Sequence, residues 1–330
     1  MSTVNQAHWM SAIDDATCLN RMSILGSHES CALEGFGPTQ CQSLSIPEQL
    51  NRGVRFLDIR PVYAKDAPTD HLPIMHNTVD QSIDFGEGEQ QCRDFLEKHP
   101  SETILMNVQQ ELNGGLRNHS GESFLERFLQ VVHSPWWTFL SSDKIPTLKD
   151  CRNKIVLVRS YDSLAKEGWP SEANGHKLPG NGGLAWNGFC NDGESRNKYF
   201  VTQNGWKKYE TSRDKTSNGW DEANHDKVEA VKDWMRKSAT AAKNGKDEIY
   251  VNFASRAAGA YVGSAAEDIN KHLVNYLNGD FQKAWPATDA APLGIVALDF
   301  VGNTGVGSEC LEAQILQYNP FKKGSALKYT

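Results

Sequence analysis

The feature that constrains this chain most is an alternation kept up from one end to the other. Short apolar bursts are separated by helical patterns. The bursts are Met22–Leu25, Val54–Ile59, Pro73–Met75, Ile104–Gln109, Ile155–Val158, Phe200–Thr202, Ile249–Phe253 and Gly294–Phe300. Most are apolar without strict alternation, the pattern of strands buried on both faces. Between them, Ser45-Ile-Pro-Glu48 reads as a capping box with proline in the first turn, opening a helix toward Arg52. Further helical patterns run over 90–98, 122–132, 221–243, 265–277 and 309–317. In the longest, Val228, Val231, Met235 and Ala239 fall at helical spacing and are expected to face the strands. Alternating β and α predicts a parallel sheet, and about eight strands predict closure, so the expected fold is α/β, a single distorted (β/α)8 barrel of TIM type. Residues 163–220 are rich in Gly, Asn, Ser and Trp and read as a long loop region, because strand patterns resume after it. With no repeat and no linker, residues 1–330 read as one domain.

At 330 residues with 39% hydrophobic and 23% charged, the chain supports a sizeable core and is not disordered on composition. The net charge of -7 argues against a nucleic-acid partner, since proteins that track phosphates carry a basic face. A local patch can still meet a membrane surface. No run of 18 apolar residues occurs, so no transmembrane helix is expected, and the opening MSTVNQAHWM has neither the basic flank nor the apolar stretch of a signal peptide. The seven cysteines include no Cys-x-x-Cys pair, which disfavours a structural zinc site. Cys31 and Cys41 share one loop and could pair, and an odd total leaves at least one thiol free, so the redox compartment is undecided.

A parallel barrel places its active site at the C-terminal ends of its strands. Those ends carry His28 and Glu29 after the first burst, Asp58 and Arg60 after the second and His76 after the third. Gln109 and Glu111 follow the fourth, and Asp299 the last. Two histidines, several carboxylates and an arginine on one rim suit phosphodiester cleavage. A neutral imidazole removes a hydroxyl proton, a protonated one donates to the leaving oxygen, and a guanidinium neutralises the phosphoryl oxygens. Each residue also has a plainer reading. A lone histidine at a strand end is more often a satisfied polar group, and Asp58 with Arg60, on one face across Ile59, is more often a structural ion pair. His71, His99, His119, His133, His176, His225 and His272 are left at that reading, and Trp136-Trp137 beside Pro135 at packing. Composition and spacing stop at a barrel enzyme with hydrolytic or lyase chemistry.

The strings themselves say more. Trp9-Met10, MSILGSHES, PEQLNRGVRFLDIR, PIMH, HPSETILMNVQQE, NKIVLVRSY, EIYVNFAS and GIVALDF occur in that order over nearly the whole chain. The sequence resembles the catalytic X domain of bacterial and fungal phosphatidylinositol-specific phospholipase C, with GVRFLDIR and PSETILM its most specific parts. The resemblance implies that His28 is the general base toward the inositol 2-hydroxyl, that Asp299 orients it, and that His76 is the general acid toward the glycerol oxygen. It implies that Arg60 binds phosphate as in the metal-independent bacterial enzymes, where calcium-dependent relatives place a carboxylate ligand, and that Asp58 is the acidic residue beside it. Glu111 corresponds to a headgroup contact and Tyr261 to a rim aromatic that meets lipid.

Several positions depart from that pattern. The usual His-Asp pair is His28-Glu29 here, one methylene longer, and the glycine after the acid histidine is Asn77. A lysine that contacts inositol is Gln109, and an Asp and a Tyr that grip the ring correspond loosely to Asn204 and Trp206. The resemblance therefore implies cleavage of phosphatidylinositol, or a related phospholipid or glycosylated inositol lipid, to diacylglycerol and a cyclic inositol phosphate. No cofactor is expected, and calcium is disfavoured by Arg60. The expected partner is phospholipid at a membrane surface, met by aromatics such as Tyr261, Trp285, Trp136 and Trp137. The protein is expected to be a monomer, secreted or extracellular. The rival readings are a metal-dependent glycerophosphodiester phosphodiesterase-like enzyme and a catalytically inactive lipid-binding module.

Overall fold

A computed structural model describes residues 2–63, 71–111, 145–159, 199–205, 218–256, 262–286, 291–304 and 310–329, with shorter pieces within 124–138 and 172–196. Its centre is a parallel sheet of seven strands, β1 Ser23–Ser27, β2 Phe56–Ile59, β3 Ile104–Val108, β4 Ile155–Arg159, β5 Phe200–Gln203, β6 Ile249–Phe253 and β7 Gly294–Leu298. Their order is β4-β3-β2-β1-β7-β6-β5. The first and last strands are therefore neighbours, in register from Ser23 opposite Gly294 to Ser27 opposite Leu298. That adjacency is what wrapping an alternating β/α chain around a barrel requires. Among the described residues no ladder joins the β4 edge to the β5 edge. Leu184–Ala185 and Trp137–Thr138 add short parallel pieces to β4, and Glu194–Arg196 runs antiparallel to β5. The fold is the expected barrel, distorted by that opening.

Strands β1, β2, β3, β6 and β7 are buried along their whole length, as their continuous apolar runs require. Gly26 lets β1 approach β2, since a Cβ there would lie 2.9 Å from Cδ1 of Phe56. Helix α1 (Ile46–Asn51) starts at the expected capping box, where the Ser45 amide donates to Oε2 of Glu48 over 2.8 Å. Helix α2 (Phe85–Lys98) begins five residues before the pattern suggests. Asp84 caps it, accepting from the Gly86 amide at 2.9 Å, and Glu87 accepts from the Asp84 amide at 2.9 Å. This second capping box overrides the low helix propensity of Gly86 and Gly88. Along helix α3 (Asn218–Lys243), Val228, Val231, Met235 and Ala239 are all buried, as their spacing predicts. Helices α4 (Val262–Tyr276) and α5 (Leu311–Leu316) complete the described outer layer around the strands.

Two expectations need correction. Pro73–His76 is not a barrel strand. It pairs antiparallel with Val79–Asp84 in a separate hairpin, held to the end of β2 by a bridge between Pro61 and Ile74. The arm is four residues long, as is the barrel strand Phe56–Ile59, and length alone does not tell them apart. Cys31 and Cys41 do not pair either. Both thiols are free and buried; Cys31 packs near Ile59, Cys92 and Met106, whereas Cys41 faces His76. No described helix is long and apolar enough to cross a membrane.

Candidate active site

His28 follows β1, and its amide donates to the Leu298 carbonyl at the end of β7 over 2.9 Å. The ladder between these strands thus sets His28 beside Asp299, with Nδ1 and Oδ1 2.8 Å apart. A carboxylate accepts only, so Nδ1 carries the hydrogen and a neutral His28 presents a bare Nε2. The Phe253 ring packs edge-on against the imidazole at 5.9 Å. His76 ends the hairpin arm, with Nδ1 2.9 Å from the Thr39 carbonyl. A carbonyl likewise accepts only, so the titrating nitrogen of His76 is also Nε2. Each histidine keeps 14% of its side chain exposed, enough to be reached from the rim.

Asp58, Arg60 and Glu29 form one network between the histidines. The Arg60 guanidinium donates to Oδ2 of Asp58 through Nη2 at 2.9 Å and Nε at 3.2 Å, and through Nη1 to Oε1 of Glu29 at 2.5 Å. Oε1 of Glu29 is also 3.6 Å from Nε2 of His76. Asp58 is held on both oxygens: Oδ1 accepts from Asn107, and Oδ2 accepts from the Glu29 amide besides Arg60. Glu29 reaches this position with φ of 44°, in the left-handed region. Asn77, where the related pattern has glycine, also has positive φ, at 54°, which asparagine tolerates better than most residues.

Charge follows from these contacts. Burial acts to depress His28, but the Asp299 carboxylate and its hydrogen bond outweigh it, so His28 binds its proton more tightly than usual. His76 is shifted the other way, by burial and by the positive charges of His28 and Arg60. Burial acts to raise Asp58, but Arg60 and His28 hold it ionised below its ordinary range. Burial raises Glu29 against the pull of Arg60, whose guanidinium donates to its carboxylate. Glu111, half-buried beyond β3, is raised by burial and by the charge of Glu29.

The structure therefore brings together His28, Glu29, Asp58, Arg60, His76 and Asp299, with Glu111 near enough for its charge to act on Arg60 and His76. Gln109 lies half-buried at the end of β3, its amide donating to the Ile59 carbonyl at 3.0 Å. Asn204 follows β5, and its buried Oδ1 has no hydrogen-bond partner among the described residues. Trp206, Tyr261 and Trp136 lie outside the described residues. Two interface candidates are misplaced. Trp137 is buried, donates to Oε1 of Glu89 at 2.7 Å and stacks on Phe85. Trp285 stacks on Phe281 beneath Lys243, at the end of α3 that leads into the start of β6, away from the rim.

Sequence reasoning missed the supports. Ser30 donates its amide to the Asp58 carbonyl and accepts the Asp58 amide on its hydroxyl. Gln42 donates to the carbonyls of His28 and Leu298 at 2.7 and 2.9 Å and accepts the Val301 amide at 3.1 Å. Asn107 had a readable signal, as the one polar residue in the apolar run Ile104–Val108, where a buried amide needs a partner. Gln42 and Thr39 act across long sequence separations from an irregular loop and leave no pattern.

Residues 17–161 match the family model described as phosphatidylinositol-specific phospholipase C, X domain. The 1-phosphatidylinositol phosphodiesterase of Staphylococcus aureus is 27% identical over 322 residues, 94% of each chain. The enzyme of that name from Listeria monocytogenes is 33% identical over 167 residues, 48% of this chain and 50% of its own length. A solved structure of the Staphylococcus aureus phosphatidylinositol-specific phospholipase C superposes with a TM-score of 0.71 at 24% identity, covering 96% of this chain and 98% of that one. The Listeria monocytogenes structure gives 0.70 at 22%, covering 96% and 100%. Over residues 17–161 the chain is thus similar to the X domain of phosphatidylinositol-specific phospholipase C, and its distorted barrel has the fold of the bacterial enzymes.

Proposed function

We propose that this protein cleaves phosphatidylinositol to diacylglycerol and inositol 1,2-cyclic phosphate by metal-free acid–base catalysis. The observation that carries the reading is the pair of imidazoles, each fixed by an acceptor on Nδ1 and presenting Nε2, on either side of an arginine held by two carboxylates. Nε2 of His28 takes the proton of the inositol 2-hydroxyl, whose oxygen attacks phosphorus. Arg60 stabilises the charge that builds on the phosphoryl oxygens, and His76 gives its Nε2 proton to the departing glycerol oxygen. Binding of the phosphodiester anion raises His76, which is otherwise depressed, and so loads the acid with its proton. Two features disfavour a metal-dependent phosphodiesterase. Asp58 is turned toward Arg60, and the Arg60 guanidinium, itself a cation, occupies the space between Asp58 and Glu29 that a metal ion would need. An inactive binding module would have no use for two oppositely shifted histidines.

Gln109 cannot supply a lysine's charge, so inositols bearing extra phosphates are not expected to be favoured over phosphatidylinositol itself. Release of headgroups from a panel of phospholipids tests the assignment. Phosphatidylinositol should be cleaved fastest, and faster cleavage of phosphatidylcholine would overturn it.

Asp299→Asn tests the base. Removing the carboxylate takes away what raises His28, so the imidazole should titrate at lower pH by NMR. The amide also favours the wrong tautomer, and turnover should fall by ~10²–10⁴-fold. Unchanged titration and turnover would exclude the pairing. In the wild type, turnover needs His28 neutral and His76 protonated. With His28 raised and His76 lowered, that state is the minor one in the free protein, so the bell for kcat/KM should be low, its acid limb set by the lower of the two values and its alkaline limb by the higher.

The enzyme acts as a monomer at a membrane surface, from outside the cell. Among the described residues the exposed large hydrophobic is Phe36, 94% exposed, in the loop that also carries Thr39, Cys41 and Gln42 to the site. Its ring is suited to enter the lipid interface when the rim docks. Fully burying such a side chain is worth about 1.5–3 kcal/mol, so Phe36→Asp should weaken partitioning onto phosphatidylcholine vesicles by ~10-fold or more. Equal partitioning in a vesicle sedimentation assay would remove Phe36 from the interface.

A further inference from the structure

The loop that closes over the active site brings a thiol to the catalytic base. We propose that His28, Cys41 and Asp299 form a site for a thiophilic divalent cation such as zinc, and that filling it switches the enzyme off. Their ligand atoms lie within 4.8 Å of one another, and they supply one imidazole nitrogen, one sulfur and one carboxylate oxygen. These are the three donor types zinc accepts, and with three protein ligands a fourth position is left for water. Tetrahedral zinc sets its ligands about 3.5 Å apart, so the cluster needs to tighten by up to about 1.3 Å.

The cluster is built, not incidental. The Phe300 amide, next to Asp299, donates to the Cys41 carbonyl at 2.8 Å. Gln42, next to Cys41, holds the carbonyls of His28 and Leu298. All three donors are thus tied to the ends of β1 and β7. Cys41 takes no part in the acid–base steps. Sγ is 3.8 Å from Nδ1 of His76, a nitrogen already committed to the Thr39 carbonyl. The site is separate from the place between Asp58 and Glu29 that Arg60 fills.

Binding is a proton-for-metal exchange with no change of oxidation state. The Cys41 thiol loses its proton to solvent as the sulfur–metal bond forms, and the cation's charge supports a thiolate that burial otherwise opposes. Inhibition follows whichever imidazole nitrogen is used. Metal on Nε2 consumes the basic lone pair. Metal on Nδ1, replacing the proton shared with Asp299, leaves the neutral ring's hydrogen on Nε2.

The experiment titrates chelator-washed protein with zinc, following phosphatidylinositol turnover, and with cobalt(II), following absorbance. Wild type should lose nearly all turnover to zinc and regain it with chelator. It should give a cobalt–thiolate charge-transfer band with the intense visible bands of a tetrahedral site. Cys41→Ser should stay active without metal, lose the thiolate band, and need at least ~10-fold more zinc for half-inhibition, since losing a ligand costs no less than losing a partner behind one. Cys41→Ala serves if the serine variant does not fold, and Cys31→Ser should behave as wild type. A wild type indifferent to zinc, or a Cys41 variant that keeps the band or the sensitivity, would overturn the proposal. The inhibition arm rests on the phospholipase reading; the cobalt band requires no turnover, so the two can fail separately.

Discussion

Replacing His28 with alanine is expected to lower phosphatidylinositol turnover by ~10²–10⁴-fold while leaving the fold intact, and His76→Ala should do the same. Both side chains sit at the rim with 14% of their surface exposed, and neither anchors the core. Their losses should differ in kind. A substrate with a good leaving group needs little protonation at the departing oxygen, so it should partly rescue His76→Ala. It should not rescue His28→Ala, because the attacking hydroxyl still needs its base. The measurement is the rate of both variants on the lipid and on an activated inositol phosphodiester. Equal rescue of both would remove the division of labour between the histidines, and near-wild-type rates in either would remove the mechanism.

Arg55→Met should have the opposite signature, a loss of stability with the catalytic groups left in place. Arg55 and Glu102 are a fully buried ion pair, with Nη2 and Nε of the arginine 2.8 and 3.0 Å from Oε2. The remaining donors hold the carbonyls of Ala7, Leu50 and Val54, so one guanidinium ties the N-terminal segment to α1 and β2. Its face rests on Phe95, 4.6 Å from the ring centroid. Removing one partner of such a pair strands a buried charge, at a cost of about 3–5 kcal/mol. Pairing Arg55→Met with Glu102→Gln should recover part of that loss. Urea denaturation measures it, and a midpoint unchanged in the single variant would refute the structural role.

The two arginines show how far the chain could be read in advance. In Val-Arg-Phe-Leu-Asp-Ile-Arg, both Arg55 and Arg60 flank an apolar run, and nothing local separates them. Only the direction of a parallel strand does: Arg60 is at the C-terminal rim with the histidines, Arg55 at the other end with Glu102. The two most specific strings of the resemblance thus meet in a structural ion pair, while the chemistry lies at their far ends. The order of barrel strands was legible because continuous apolar runs report burial on both faces. That no ladder joins β4 to β5 among the described residues was not, because no composition signal distinguishes an unpaired edge from a paired one. Among the site residues, Asp58 and Arg60 form the ion pair of the plainer reading, and the proposed phosphate site is that same pair. Two of the interface aromatics, Trp137 and Trp285, lie elsewhere for a physical reason. A tryptophan's burial depends on what packs against it, and Trp137 and Trp285 are covered by Phe85 and Phe281. Phe36 had a signal that was passed over, an apolar ring in the turn-forming string Glu-Gly-Phe-Gly-Pro, where nothing can cover it.

The most direct measurement is phosphorus NMR of phosphatidylinositol vesicles incubated with the protein in excess chelator. The expected result is a cyclic inositol phosphate as the first water-soluble product, formed at a rate that added calcium does not increase. No turnover until calcium is supplied, or an acyclic phosphate as the first product, would contradict metal-free attack by the inositol hydroxyl and the place given to Arg60.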